Sequence, residues 1–496
     1  MTENNANPDT TIPQLEDRLS VTHHTVTIDG QEVHYTATTG TYVLKEEVEG
    51  EQPEEQPAEQ EKPKAQVFFV AYTVENDGDP GERPLTFAFN GGPGSSSVWL
   101  HMGLLGPRRV VMGPEGEMPA PPFEWEENAS SLLDVTDLVF IDPVSTGYSR
   151  AVPGEDPKQF HDFEKDIHWV GEFIRLYTSR ACRWTSPKFL IGESYGTTRA
   201  AGLAGYLQER HGMYFNGIML VSSILDFQTA RFTPGNDLPY ILFLPTYAAT
   251  AWYHQRLDDD LQADLAQTLA EVEAFAAGDY TLALMQGDAL PADERERIAE
   301  KLARYTGLSP NYIRQTDLRI RIDRFVKELM RLEGRTVGRL DTRFLGIDRD
   351  AAGEKFEFDP SYAAIQGPYT AVLNDYVRGE LAFESDLPYE ILTGRVQPWS
   401  YESHQNQYVN VGETLRKAIS INPHLRVFVA NGYFDLATPY FATRYTFDHL
   451  SLDPSLRDNV SMGYYRAGHM MYIHLPSLEK LKGDLAAFVS RACGEK

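Results

Sequence analysis

Apolar and polar positions along the chain follow two alternating rhythms. Short, mostly apolar runs recur at 85–90, 137–142, 188–192, 217–223 and 425–430. Runs of that length and texture are the mark of strands buried on both faces. Between some of them, apolar residues return every third or fourth position. Phe160, Phe163, Ile167, Val170, Ile174 and Tyr177 trace one face of an amphipathic helix, and Leu478, Leu481, Leu485 and Phe488 trace another near the C-terminus. Buried strands alternating with such helices predict an α/β fold, a mostly parallel central sheet flanked by helices. Ahead of this region, 24–28, 32–44 and 66–73 have the texture of strands in a meander.

The strand rhythm stops between about 227 and 400. There, 261–277, 291–305 and 318–332 predict helices with long charged faces. Because the sheet pattern resumes afterwards, the stretch is expected to be an inserted helical cap rather than a separate module. The expected organisation is an N-terminal extension over 1–64, a first part of the core over 65–226, the cap over 227–399 and a second part of the core over 400–496. No internal repeat is found.

Charge narrows the partners. With 72 Asp and Glu against 45 Lys and Arg, the net charge is −27, and such a surface repels phosphate backbones. Nucleic acid is therefore not an expected partner. Residues 46–61 hold eight Glu and no Lys or Arg, with Pro53 and Pro57 among them, which predicts a solvated loop in preference to a docking tail. The longest apolar stretch, 240–253, is broken by Pro245 and falls short of the roughly 20 residues a membrane span needs. The opening residues have neither the basic region nor the apolar core of a signal peptide. The two cysteines, Cys182 and Cys493, are too few for a disulfide framework. A cytoplasmic location with no membrane contact is expected. None of the 13 His falls in a two-histidine helical motif of the zinc-protease kind, so no metal is expected.

The candidate chemistry centres on Gly192-Glu193-Ser194-Tyr195-Gly196, a G-x-S-x-G match. In a chain with 38 Gly the pattern gains weight only from its setting. It follows the apolar Phe189-Leu190-Ile191 and precedes helix-compatible residues 197–209. A strand-to-helix elbow of this kind holds the serine exposed on a strained turn, and the flanking glycines avoid clashes. A serine hydroxyl needs a base, and the base needs an orienting carboxylate. In α/β hydrolases these follow in the order Ser, acid, His. Asp435, just past the strand at 425–430, and His469, just past the last predicted strand at 459–464, fit that order. Both sit beyond strand C-termini, where ligand sites of open α/β sheets collect. Two rivals are weaker: Asp226 precedes the whole cap, and His474 stands beside Pro476 at the start of the last helix. Asn90-Gly91-Gly92-Pro93-Gly94 follows the strand at 85–90, and its glycines let backbone N–H groups approach a ligand closely. Such a loop can offer one oxyanion donor, and Tyr195, the residue after the serine, the other.

Taken together these segments resemble the serine carboxypeptidases. The resemblance rests on Asn90-Gly91-Gly92-Pro93-Gly94-Ser95-Ser96, Asp142-Pro143-Val144 with Gly147-Tyr148-Ser149, Gly192-Glu193-Ser194-Tyr195-Gly196, Asp435 and Gly468-His469-Met470, in the family's order. It implies an α/β-hydrolase fold and a serine-type peptidase that cleaves near a C-terminus through an acyl-enzyme, with no metal or organic cofactor. By the same resemblance Ser194 is the nucleophile, His469 the base, Asp435 its orienting acid, and the N–H groups of Gly92 and Tyr195 the oxyanion hole. Asn90, Gly91 and Glu193 resemble the group that grips the substrate's terminal carboxylate. Peptides are the expected partners, and the sequence sets no oligomeric state. An esterase or acyltransferase on the same triad is the alternative, and a non-catalytic binding protein on this scaffold is less favoured.

Three departures accompany the resemblance. Ser95 stands where the family has a disulfide-bonded cysteine, and Ala88 where a tryptophan is common. Leu104, before Leu105-Gly106-Pro107, replaces a glutamate that pairs with the elbow glutamate. Two close carboxyls retain a proton, and a protonated carboxyl can donate to a substrate carboxylate. Without its partner, Glu193 needs burial to stay protonated, or another cation or donor to compensate, with Arg199 as the candidate.

Overall fold

The computed structural model describes residues 15–47, 61–75 and 78–494. Most of the glutamate-rich loop expected over 46–61 therefore lies outside the described residues. Its ends, Glu46, Glu47 and Glu61, lie in paired antiparallel strands.

Among the described residues, nine strands form the main path of the sheet: β1 (Arg18–Ile28), β2 (Gln31–Glu47), β3 (Glu61–Val74), β4 (Leu85–Phe89), β5 (Asp137–Ile141), β6 (Lys188–Ser194), β7 (Gly217–Ser223), β8 (Arg426–Gly432) and β9 (Val460–Tyr465). Their spatial order is β1-β2-β3-β5-β4-β6-β7-β8-β9, with the short Arg150–Ala151 strand paired to β3. The first three strands are antiparallel, and β3 meets β5 antiparallel; every pair from β5 to β9 is parallel. Successive residues of the central strands enter opposite cores. Phe87, Phe89 and Leu190 go to one face, and Ala88, Phe189 and Ile191 to the other. That two-sided burial explains the unbroken apolar runs in the sequence.

The principal helices are α1 (Phe163–Arg180), α2 (Tyr195–His211), α3 (Leu238–Tyr253), α4 (Ala292–Thr306), α5 (Pro360–Gly379), α6 (Gly412–Ile421) and α7 (Leu475–Ala492). On one face of the sheet, α1, α2 and α6 pack through Ile167, Phe173, Leu203 and Leu415. On the other, α5 and α7 contribute Tyr369, Val372, Leu481 and Phe488.

Packing divides the 227–399 stretch in two. Residues of α3, Leu265–Phe275 and α4 close a third core around Phe243, Tyr247, Val272 and Leu302, which also takes Phe434 and Leu436 on either side of Asp435. By contrast, α5 is part of the sheet's own core. The apolar 240–253 stretch is the buried body of α3, with Pro245 inside the helix. Two predicted helices are shorter than their patterns. Asp264 interrupts 261–277 because its carboxylate caps Leu265–Phe275, accepting from the N–H groups of Ala266 and Gln267. Asp317 and Leu318 adopt φ of +52° and +62°, so the helix expected over 318–332 is confined to Ile322–Glu328. Among the described residues, no helix is long and apolar enough to cross a membrane.

Candidate active site

Strand β6 runs into α2 through Ser194, whose φ of +61° and ψ of −129° place it on a strained turn. The glycines around it are required by space. A Cβ on Gly192 would lie 2.1 Å from the Gly196 carbonyl oxygen, and one on Gly196 would lie 2.8 Å from that of Phe89. The turn after β4 is pressed against the same elbow: a Cβ on Gly91 would stand 2.4 Å from the Tyr195 nitrogen. The Gly91-Gly92 turn and the first amide of α2 are thereby brought side by side, at a helix N-terminus that favours negative charge. Tyr195 supplies only its backbone to this corner, since its ring is buried against Trp399 under the Arg199 guanidinium.

Past β8 and β9 the chain delivers Asp435 and His469. Asp435 Oδ2 accepts from His469 Nδ1 at 2.7 Å and from Thr438 Oγ1 at 2.7 Å, and Oδ1 accepts from the amides of Ala437 and Thr438. Burial pushes the Asp435 carboxyl up, but the imidazole and these donors outweigh it and hold the pKa below the usual aspartate value. Burial lowers His469 as well; the Asp435 charge and hydrogen bond, helped by Glu193, prevail and leave it above its ordinary value. The histidine main chain is fixed from two sides. Its N–H donates to the Leu340 carbonyl at 2.7 Å, and its carbonyl accepts from Ser222 Oγ at 2.6 Å. Beside it, Gly468 N–H donates to Asp341 Oδ2. The segment around Leu340 and Asp341, on the long insertion, therefore holds the base loop. Nothing in the sequence pattern marked it.

Ser194, Glu193, Asn90, Gly91, Gly92 and His469 line one cavity of about 200 Å³. Ser194 Oγ makes no hydrogen bond among the described residues, and such serine–histidine contacts commonly tighten only with substrate. The two rivals are elsewhere engaged. Asp226 caps a short helical turn through Gln228 N–H, and His474 Nδ1 bonds Ser477 Oγ at the start of α7.

The sequence profile of the serine carboxypeptidase family matches residues 56–467. The chain belongs to the serine carboxypeptidase family. Among curated proteins, serine carboxypeptidase-like 9 of Arabidopsis thaliana is 25% identical over 135 residues, 26% of this chain. That match spans only 29% of the plant protein. Among solved structures, Kex1Δp, a prohormone-processing carboxypeptidase from Saccharomyces cerevisiae, superposes with a TM-score of 0.53 at 16% identity, covering 92% of this chain and 91% of that one. The likeness is one of fold.

Against that family background the three departures acquire structural content. Ser95, at the position of the bonded cysteine, is held by a β-bridge to Leu392 and by the Trp99 indole N–H, which donates to its Oγ at 2.9 Å. Ala88 is buried within β4. Leu104 is buried in the sheet's core, and the Gly103 beside it packs directly on the Tyr472 ring. Tyr472 takes over the contact with the elbow glutamate, donating to Glu193 Oε2 at 2.5 Å, while Asn90 Nδ2 donates to Oε1 at 3.1 Å. Burial pushes Glu193 up to about 7, against the opposing pull of His469, Tyr472 and Asn90. Desolvation thus does here what a second carboxylate does elsewhere in the family. Arg199, the expected compensating cation, does not have that role. It is buried, with its guanidinium committed to both oxygens of Asp166 and to the Asn90 carbonyl. It braces the turn through the Asn90 carbonyl and does not line the cavity that holds Ser194.

Proposed function

We propose that this chain is a serine carboxypeptidase that uses Ser194 as nucleophile. Ser194 Oγ attacks the carbonyl of a C-terminal peptide bond as His469 takes the hydroxyl proton. The oxyanion that forms is received by the N–H groups of Gly92 and Tyr195. His469 then passes the proton to the leaving amine, and the C-N bond breaks to leave an ester on Ser194. Water attacks that ester, again losing its proton to His469, and the acid product leaves as the proton returns to Ser194. Asp435 holds the imidazole in the required tautomer and stabilises its charged form. Asn90 and a protonated Glu193 donate to the terminal carboxylate, with the Gly91 N–H beside them.

The observation that carries the reading is the single cavity that holds Ser194, the Asp435-oriented His469 and, next to them, a carboxyl held near pH 7. Labelling with a fluorophosphonate tests the first half: an adduct on Ser194, lost in Ser194→Ala, is expected. Comparing peptides with free and amidated C-termini tests the second, with the free acids preferred. Equal rates on esters lacking any carboxylate favour the esterase or acyltransferase reading, and absence of an adduct favours a non-catalytic binding protein. A cytoplasmic site of action is part of the proposal, supported by Ser95 in place of the family's bonded cysteine; cell fractionation tests it.

A further inference from the structure

Arg339 is the one Lys or Arg, among the described residues, that lines the cavity holding Ser194 and His469. The residue is exposed, and its guanidinium has no hydrogen bond or ion pair among the described residues. Its main chain, in contrast, is pinned. The N–H donates to Asp359 Oδ1 at 3.1 Å, and the carbonyl accepts from Leu436 N–H at 3.1 Å, one residue past Asp435. The next residue, Leu340, accepts from His469 N–H. The backbone that clamps the base therefore also sets Arg339 at the rim of the site.

Arg349, Lys355 and Arg466 are also without a hydrogen bond or ion pair among the described residues, but of these cations Arg339 is the one that lines the cavity. Several arginines of the same insertion do have carboxylate partners, as in Arg319 with Asp237, Arg331 with Glu328 and Arg343 with Asp341. The neighbouring carboxylate, Asp359, is already taken up by the amides of Arg339, Leu340 and Ser361 at the start of α5. Position adds a second point. The Arg339 charge reaches the His469 imidazole, where it opposes protonation. Arg339, His469 and Glu193 line the same cavity. A planar guanidinium at a cavity wall shared with Trp99, Tyr362 and Ile365 suits bidentate contact with a carboxylate.

We propose that Arg339 determines specificity by receiving the carboxylate of an Asp or Glu side chain in a substrate residue flanking the scissile bond. This rests on the carboxypeptidase reading above and adds a side-chain preference to it. The test uses two sets of peptides with free C-termini, one varying the acyl-side residue and one the leaving residue, each as Glu, Gln or Lys. In one set the wild type is expected to favour Glu over Gln by about 5- to 10-fold in kcat/KM. Arg339→Ala removes that ratio, and Arg339→Glu inverts it toward Lys; the set that responds identifies the side. Fluorophosphonate labelling of Ser194 in each variant records an intact elbow. Equal Glu and Gln rates in both sets, or a preference that survives Arg339→Ala, overturns the inference. A labelled wild type that cleaves none of these peptides overturns the carboxypeptidase reading and the inference with it.

Discussion

Glu193→Gln keeps the size of the elbow side chain and removes its ability to ionise. In the folded chain burial moves the Glu193 carboxyl from 4.5 to about 7, even though His469, Tyr472 and Asn90 all favour the charged form. An unfolded chain releases this proton near 4.5, whereas the native state keeps it until about 7. The group's contribution to stability is therefore complete below the unfolded value and is lost as the pH rises through about 7. A gap of about 2.5 pH units, at about 1.4 kcal/mol each, amounts to about 3–4 kcal/mol. Glutamine has no such slope, so the variant should gain about that much relative to wild type between pH 4 and pH 9, whatever constant offset the substitution brings. Urea unfolding of both proteins across this range measures it. Turnover offers a second reading. Wild-type cleavage of free-carboxylate peptides should decline above pH 7 while hydrolysis of an uncharged ester does not, and the variant should carry peptide cleavage to higher pH. The Glu193 charge also raises His469, so the variant's acid limb on the ester should move to lower pH. Parallel stability profiles for the two proteins, together with full wild-type peptide cleavage at pH 9, would refute the reasoning.

Two further outcomes follow from the contacts of the site. Asp435→Asn leaves the amide contacts of Ala437 and Thr438 in place but offers His469 Nδ1 the wrong partner; kcat should fall by about 10⁴-fold while Ser194 stays in a folded elbow, as circular dichroism would verify. Arg199→Met strands a buried Asp166 and frees the Asn90 carbonyl, at a cost of about 3–5 kcal/mol in unfolding experiments, and the double variant Arg199→Met/Asp166→Leu should recover much of that loss.

Much of the architecture was legible in the chain because its strands are buried on both faces. A strand with no solvent side has no choice but to be apolar throughout, so β4 to β8 announced themselves as short runs. The elbow was equally legible, since a serine at positive φ between colliding backbones leaves only glycine room at 192 and 196. The insertion was harder. Pro360, Gly367, Pro368 and Gly379 hid α5, whose helix is sustained by Ile365, Tyr369, Val372 and Tyr376 packing into the core. Propensity alone argues against that helix, and tertiary burial overrides it.

By itself, then, the sequence determined the alternation of the sheet, the order of Ser194, Asp435 and His469, and the loss of the second glutamate at Leu104. The first two are matters of residue type and local spacing, which short-range sterics and hydrophobic periodicity express directly, and the third is read from the resemblance to the serine carboxypeptidases. Only the tertiary structure decided what replaced that glutamate. The Tyr472 hydroxyl reaches Glu193 from 279 positions away in the chain, and the Leu340–Asp341 clamp on the base loop comes from more than a hundred residues upstream of His469. The proton on Glu193 belongs to the same class. Its retention depends on how completely water is excluded, and exclusion is a property of the packed walls, not of the residue.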